Sequence, residues 1–227
     1  MPVYLLDDEL WFPPVEEAMP DGLLAAGGDL SPERLLLAYS SGIFPWFNEE
    51  DPPLWWSPDP RFVLFPDELK VSKSMQQVIR KNEFEFKINT NFKEVIANCS
   101  QVYRKGQPGT WITSEIIDAY TQLHELGYAF SAEAWQAGNL VGGLYGVMLG
   151  KIFFGESMFS KVSNASKFAF IKWVELLKEN GIVLIDCQVH TAHLESLGAR
   201  MIERECFLEI MKAVIQGKII FSDKAQL

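Results

Sequence analysis

Cysteine is scarce in this chain: Cys99, Cys187 and Cys206 are the only three among 227 residues, and they lie far apart. An odd, dispersed set suits reduced thiols, so no disulfide framework is expected. Long apolar runs are missing too. No stretch reaches membrane-spanning length, and Met1–Leu10 carries three acids, no base and no signal-peptide core. The expectation is a cytoplasmic protein with no membrane partner. Two glycine-rich signatures are also absent, the Gly-x-x-x-x-Gly-Lys-Ser/Thr phosphate loop and the Gly-x-Gly-x-x-Gly dinucleotide turn, which leaves nucleotide-driven and hydride chemistry without support. No internal repeat or low-complexity tract is visible.

Basic residues are outnumbered, 20 against 30 acids, for a net charge of −10. On that balance a polyanionic partner looks excluded, because phosphate binding depends on clustered Lys and Arg. The distribution alters this. Residues 1–60 hold 12 acids and one base, whereas residues 61–113 hold 5 acids and 9 bases. That middle segment is either an ordinary solvated face or a local anion site built from Arg61, Lys70, Lys73, Arg80, Lys81, Lys87, Arg104 and Lys105. In the second reading the acidic remainder suppresses indiscriminate contact, and binding to one RNA would be salt-sensitive.

What is present is the composition of a globular protein, 48% hydrophobic and 22% charged. Ser31-Pro32-Glu33 predicts a helix over about 32–41, and the dense Pro, Gly and Trp around it predict an irregular, aromatic-lined region. Ser74 to Gln77 reads as a capping box, Glu83–Ile88 alternates like a strand, and helices are expected from about 92 and over about 115–126. Tyr128–Trp135, Leu140–Leu149 and Ile152–Met158 form a predicted antiparallel meander broken at Ala137-Gly138-Asn139 and Gly150-Lys151. A helix capped at Ser163 or Asn164, a buried strand Ile182–Val189, a short helix near Ala192 and a last helix over about 206–216 follow. The order β-β-β-α-β-α implies an α+β layer with helices over a mixed sheet.

Several nucleophile and metal readings fail. Gly155-Glu156-Ser157 begins like a nucleophile elbow, but Phe159 stands where the second glycine must allow the sharp turn. His190 and His193 near Cys187 do not have an established zinc spacing, and a fourth ligand is lacking, so no metal is expected. Cys187 sits mid-strand, where a thiol is buried and inert. The carboxylates of Glu156 and Asp186 are more informative, since each lies inside an apolar run where burial is costly without a partner. A structural ion pair, a turn cap and a functional role all remain open for them. Alternation on the strand places Asp186 and Gln188 on one face and turns Cys187 away.

Six dispersed motifs carry a resemblance. Gly22-Leu23-Leu24-Ala25 with Gly27-Gly28-Asp29-Leu30-Ser31-Pro32, Gly42-Ile43-Phe44-Pro45-Trp46, Trp55–Arg61, Gly155–Ser160, Asn164-Ala165-Ser166-Lys167 and Leu184–Val189 resemble, in order, the bacterial leucyl/phenylalanyl-tRNA–protein transferases over about residues 20–207. The resemblance implies transfer of Leu or Phe, and also Met, from Leu-tRNA or Phe-tRNA to the α-amine of proteins beginning with Arg or Lys, marking them for degradation. It implies an acetyltransferase-type, N-acyltransferase-like domain over 114–227, and a monomer is expected. An irregular, aromatic-rich region over 1–62 would pack with 63–113 as a smaller α/β N-terminal domain. The coenzyme A loop of the acetyltransferases is absent before residue 165, and no cofactor is expected, the aminoacyl-tRNA being the donor.

Site roles follow from the same resemblance. Asp186 and Gln188 are assigned the catalytic work and Glu156 the acceptor's N-terminal cation. Leu144, Phe153, Met158, Phe170 and Ile185 would form the donor side-chain pocket. Trp46 and Trp111 would stack the terminal adenosine of the tRNA, with Arg61, Lys73, Arg80 and Lys81 on its backbone. Gln76 and Gln77 replace two bases usual in the family, which weakens or shifts that basic patch. The alternatives are an N-acyltransferase of the same fold with a different activated donor, and a noncatalytic RNA-binding protein.

Overall fold

A computed structural model describes residues 3–102 and 110–216; Arg104 and Lys105 of the basic segment lie outside the described residues. The chain opens with β1 (Tyr4–Leu6), β2 (Leu23–Gly27), α1 (Pro32–Ser40), β3 (Phe44–Pro45) and β4 (Leu54–Trp56). It continues through β5 (Arg61–Leu64), α2 (Lys73–Arg80), β6 (Glu85–Ile88), α3 (Phe92–Ser100) and α4 (Ser114–Glu125). Then come β7 (Ala129–Gln136), β8 (Asn139–Leu149), β9 (Ile152–Ser160) and α5 (Ala165–Glu179). The last elements are β10 (Leu184–Gln188), α6 (Ala192–Ser196), β11 (Arg200–Ile202) and α7 (Arg204–Val214).

Helix starts follow local chemistry. Ser31 accepts the Arg34 N–H ahead of Pro32, and Ser72 accepts the Met75 N–H, so α2 begins ahead of the expected Ser74 cap. Asn91 and Thr113 cap α3 and α4 in the same way. At α5 the cap residue Asn164 is left-handed, with φ 70°, and makes no side-chain cap bond; Ser160 Oγ instead accepts the Ser166 N–H at 3.2 Å. Helix α5 comes so close to β8 that a Cβ on Gly142 would lie 2.6 Å from the Ala165 Cβ. Only glycine permits that approach.

Two sheets result. The first runs β1-β2-β4-β3, and the second is a seven-stranded sheet in the order β11-β5-β10-β9-β8-β7-β6. In the large sheet β9 and β10 pair in parallel and the remaining pairs are antiparallel. The α+β class and the meander of β7 to β9 agree with the sequence reading. Two features differ. The stretch expected to be irregular contains the four strands of the first sheet, which at two to five residues each are too short for alternation to register. The stretch grouped with it, 63–113, lends β6 to the large sheet, and β5, which straddles the boundary at 62, joins that sheet too, through partners far along the chain.

The core lies on both faces of that sheet. Consecutive strand residues enter different hydrophobic clusters: Val63, Phe154 and Leu184 in one, Phe62, Phe153 and Ile185 in the other. Alternation puts those clusters on opposite faces. One face is covered by α5, with Phe168, Ala169, Ile171 and Trp173 buried against it. The other is covered by α1, α3, α4 and α7, supplying Tyr39, Val95, Tyr120 and Phe207.

Candidate active site

The site begins where two parallel strands part. β10 runs beside β9 through Leu184↔Ile152, Ile185↔Phe153 and Asp186↔Phe154, and the pairing ends there. Each strand bulges at the point of divergence. Glu156 is the extra residue between Gly146↔Gly155 and Tyr145↔Ser157, and Cys187 is the extra residue between Asp186↔Val63 and Gln188↔Phe62. A bulge re-aims the side chains that follow it. The parting strands, the start of α5, the turn into α6 and the Phe44–Trp46 segment enclose a cleft of about 520 Å³, within the usual range for small-ligand sites.

One wall of the cleft is apolar. Leu144, Met158, Phe170 and Ile185, four of the five residues named for the donor pocket, line it together with Cys187. Phe153 does not line the cleft; it is fully buried behind it against Trp173. Trp46 and Trp111 also line the cleft, and Trp46 is held by Trp56, whose Nε1 donates to the Trp46 carbonyl at 2.6 Å. Lys73, Arg80 and Lys81 are exposed on or beside α2 and contribute nothing to the cleft lining.

Arg61 is a correction. Its side chain is 0% exposed, and its Nε and Nη2 donate to Asp186 Oδ1 and Oδ2 at 2.9 and 2.7 Å, so it has no free face for an RNA backbone. A buried arginine in a two-bond fork with a carboxylate is already neutralised. Asp186 itself is fully buried and absent from the cleft lining, whereas Gln188 and Cys187 line it. The expected alternation of Asp186, Cys187 and Gln188 therefore fails, because Cys187 is the bulge residue and Gln188 has φ 63°.

Glu156 faces the cleft with a different set of partners. Oε1 accepts from Tyr39 Oη at 2.7 Å and Gln188 Nε2 at 3.0 Å, and Oε2 accepts from Tyr120 Oη at 3.2 Å. The two phenol oxygens also stand within hydrogen-bonding reach of each other, but with one proton apiece they fill only two of these three contacts while Glu156 is ionised. Among the described residues no cation pairs with this carboxylate. Burial pushes its pKa up from 4.5 to about 7, against the lowering effect of the hydrogen bonds from the two tyrosines and Gln188, while the nearby Asp186 charge pushes it further up. Burial, followed by the carboxylate beside them, holds both phenols well above their ordinary range. The Cys187 thiol is pushed up by burial and by Asp186, which suits an inert wall residue. Burial and then Lys167 lower His193, which lines the cleft with Thr191.

Tyr39 and Tyr120 escape sequence reading because each falls on the apolar face of a helix and passes for core. The signal that reveals them is Glu156 itself, since a half-buried carboxylate inside an apolar run demands donors.

The chain matches a family model described as leucyl/phenylalanyl-tRNA protein transferase over residues 63–212, and the model of that family's N-terminal domain over residues 28–59. It is 60% identical over 211 residues to the leucyl/phenylalanyl-tRNA–protein transferase of Flavobacterium johnsoniae, covering 93% of this chain and 100% of that protein. It is 56% identical over 211 residues to that of Syntrophobacter fumaroxidans, covering 93% of this chain and 90% of the relative. Among solved structures, L-PGS from Bacillus licheniformis aligns with a TM-score of 0.41 and 13% identity, over 71% of this chain and 52% of that one. On the length and identity of these sequence matches, the chain belongs to the leucyl/phenylalanyl-tRNA–protein transferase family.

Proposed function

We propose that this protein moves Leu or Phe, and also Met, from its tRNA to the α-amine of proteins that begin with Arg or Lys, in the cytoplasm, so marking them for degradation. The observation that carries the reading is the pairing, in one cleft, of an apolar slot with a half-buried carboxylate that pairs with no cation among the described residues. The slot suits an aliphatic or aromatic donor side chain. The carboxylate suits an acceptor that arrives with positive charge, since a charge-assisted bond there offsets the cost of burying Glu156. The mixed sheet, with its parting parallel strands and α5 across one face, supports an N-acyltransferase-like fold for this part of the chain.

Little covalent help is needed. The aminoacyl ester is already activated, and an α-amine of pKa near ~8 must lose a proton and meet the carbonyl in line. Nitrogen attacks the ester carbon, the C–N bond forms, the C–O bond to the ribose breaks, and the nitrogen's proton is lost while the ribose oxygen gains one. Gln188 Nε2 is bonded to Glu156, which leaves the amide oxygen to accept a hydrogen bond from the attacking amine. Glu156 binds the acceptor's N-terminal residue. Trp46 and Trp111 stack the terminal adenosine, and Lys73, Arg80 and Lys81 supply salt-sensitive backbone contacts. No cofactor enters this scheme.

The test incubates the protein with labelled Phe-tRNA and an Arg-initiated peptide, with and without ribonuclease. Labelled peptide that disappears when ribonuclease is added first is the expected result. No labelling at any salt concentration would overturn the reading.

A further inference from the structure

Arg61 and Asp186 stand 125 residues apart in sequence, yet the guanidinium meets both carboxylate oxygens. The Phe44 and Phe207 rings lie 4.7 and 4.8 Å from the guanidinium carbon, so aromatic faces hold the arginine in place. Its remaining nitrogen, Nη1, is buried without a hydrogen bond among the described residues. An arrangement that leaves a buried donor unpaired keeps its geometry through its other contacts.

The third partner of this pair gives it a further role. Asp186 Oδ1 also accepts the Gln188 N–H at 2.9 Å. Gln188 has φ 63°, the left-handed region that a glutamine adopts only at a cost. That conformation carries the side chain off the regular strand path, to 3.0 Å from Glu156 in the cleft. Asp186 does not line the cleft and is neutralised by Arg61, so it meets no substrate; its free lone pair serves the Gln188 backbone.

We infer that Arg61 is a positioning residue for the acyl transfer: its fork fixes the Asp186 carboxylate, which holds Gln188 in its left-handed conformation and aims the amide at Glu156 and the acceptor amine. The inference rests on the proposed function of this cleft. Lysine cannot replace Arg61 in this role, because a single ammonium supplies the charge without the two-bond fork that sets the carboxylate plane. Phe44 and Phe207 act through the same arginine, so the pocket wall and the last helix converge on Gln188.

The experiment is a double-mutant cycle on the full chain in the peptide-labelling assay, with Arg61→Lys, Gln188→Ala and the double variant. Each is followed by kcat, by KM for aminoacyl-tRNA and by thermal midpoint. Arg61→Lys keeps the buried charge compensated and so spares the fold. It is expected to lower kcat by about tenfold or more with KM for the tRNA little changed. In the Gln188→Ala background the same substitution is expected to cost about twofold or less, because there is no amide left to aim. An equal loss of kcat in both backgrounds would overturn the inference, as would a loss that tracks only the folded fraction. Should Arg61→Lys fail to fold in the wild-type background, Asp186→Asn tests the same link, because its amide oxygen still accepts the Gln188 N–H; it is expected to retain more kcat than Asp186→Ala, and equal loss would overturn the inference. A wild-type protein that labels no peptide defeats the functional reading; a labelling protein with an additive cycle defeats only the role of Arg61.

Discussion

Replacing Tyr39 by Phe removes one hydroxyl from the half-buried Glu156 carboxylate and leaves the ring that packs 5.1 Å from Phe154 in place. The lost bond is a 2.7 Å hydrogen bond to Glu156. A hydrogen bond to a charged acceptor is worth about 1.5–3 kcal/mol, and one pKa unit corresponds to about 1.4 kcal/mol, so Glu156 should rise by about one to two units. It starts from about 7. Only the carboxylate form attracts the acceptor's cation, so kcat/KM for an Arg-initiated peptide should climb as pH rises through the Glu156 pKa, and Tyr39→Phe should move that limb toward alkali. The assay is initial-rate peptide labelling at subsaturating acceptor from about pH 5.5 to about pH 9, with Glu156→Gln alongside to isolate the limb belonging to the α-amine near ~8. A Tyr39→Phe limb that stays where the wild type has it, or moves toward acid, would refute the assignment of Tyr39 as a stabiliser of the Glu156 charge.

The same titration bears on stability. Because Glu156 is raised in the folded state from 4.5 to about 7, the stability it contributes is full below pH 4.5 and is lost as pH rises through 7. Denaturant melts should therefore show wild type losing up to about 3 kcal/mol relative to Glu156→Gln across that window. Trp111→Ala should raise KM for aminoacyl-tRNA by about fivefold or more, the weight of one base stack, without changing KM for the peptide. Reversing the charge of Lys73, Arg80 and Lys81 together should flatten the dependence of log KM for tRNA on log salt, which a salt titration reads directly. Gly142→Ala should lower the thermal midpoint by several degrees, since its Cβ would fall 2.6 Å from that of Ala165.

The elements easiest to read in the sequence were those whose pattern repeats along the chain. Strands β7, β8 and β9 are 8 to 11 residues long, with turns at Ala137-Gly138 and Gly150 between them, so period and punctuation agreed. Strand β5, four residues all buried, showed no alternation, and its partners β10 and β11 come more than a hundred residues later. Nothing local announces such a pairing. In the site, Glu156 and Asp186 stood out because charge inside an apolar run is costly. Their different fates were not legible, because they depend on which donors the fold brings: Arg61 from β5 to Asp186, and Tyr39 and Tyr120 from α1 and α4 to Glu156. The bulge that turns Cys187 into the cleft was equally hidden, since strict alternation predicts the opposite face.

The packing of Phe207 against the Arg61 guanidinium also sets an order of events in biosynthesis. A ribosome releases Arg61 long before Asp186 has been made, and Asp186 before Phe207. Until α7 emerges, the arginine lacks one of the two rings that hold it, and Gly150 and Lys151 at the β8–β9 turn lack the end of α7, where Lys151 N–H meets the Val214 carbonyl at 2.9 Å. Nascent chains that end before residue 204 should thus carry every residue that lines the cleft and still be inert. A transferase that modifies the N-termini of other proteins would in this way stay silent until α7 has been made.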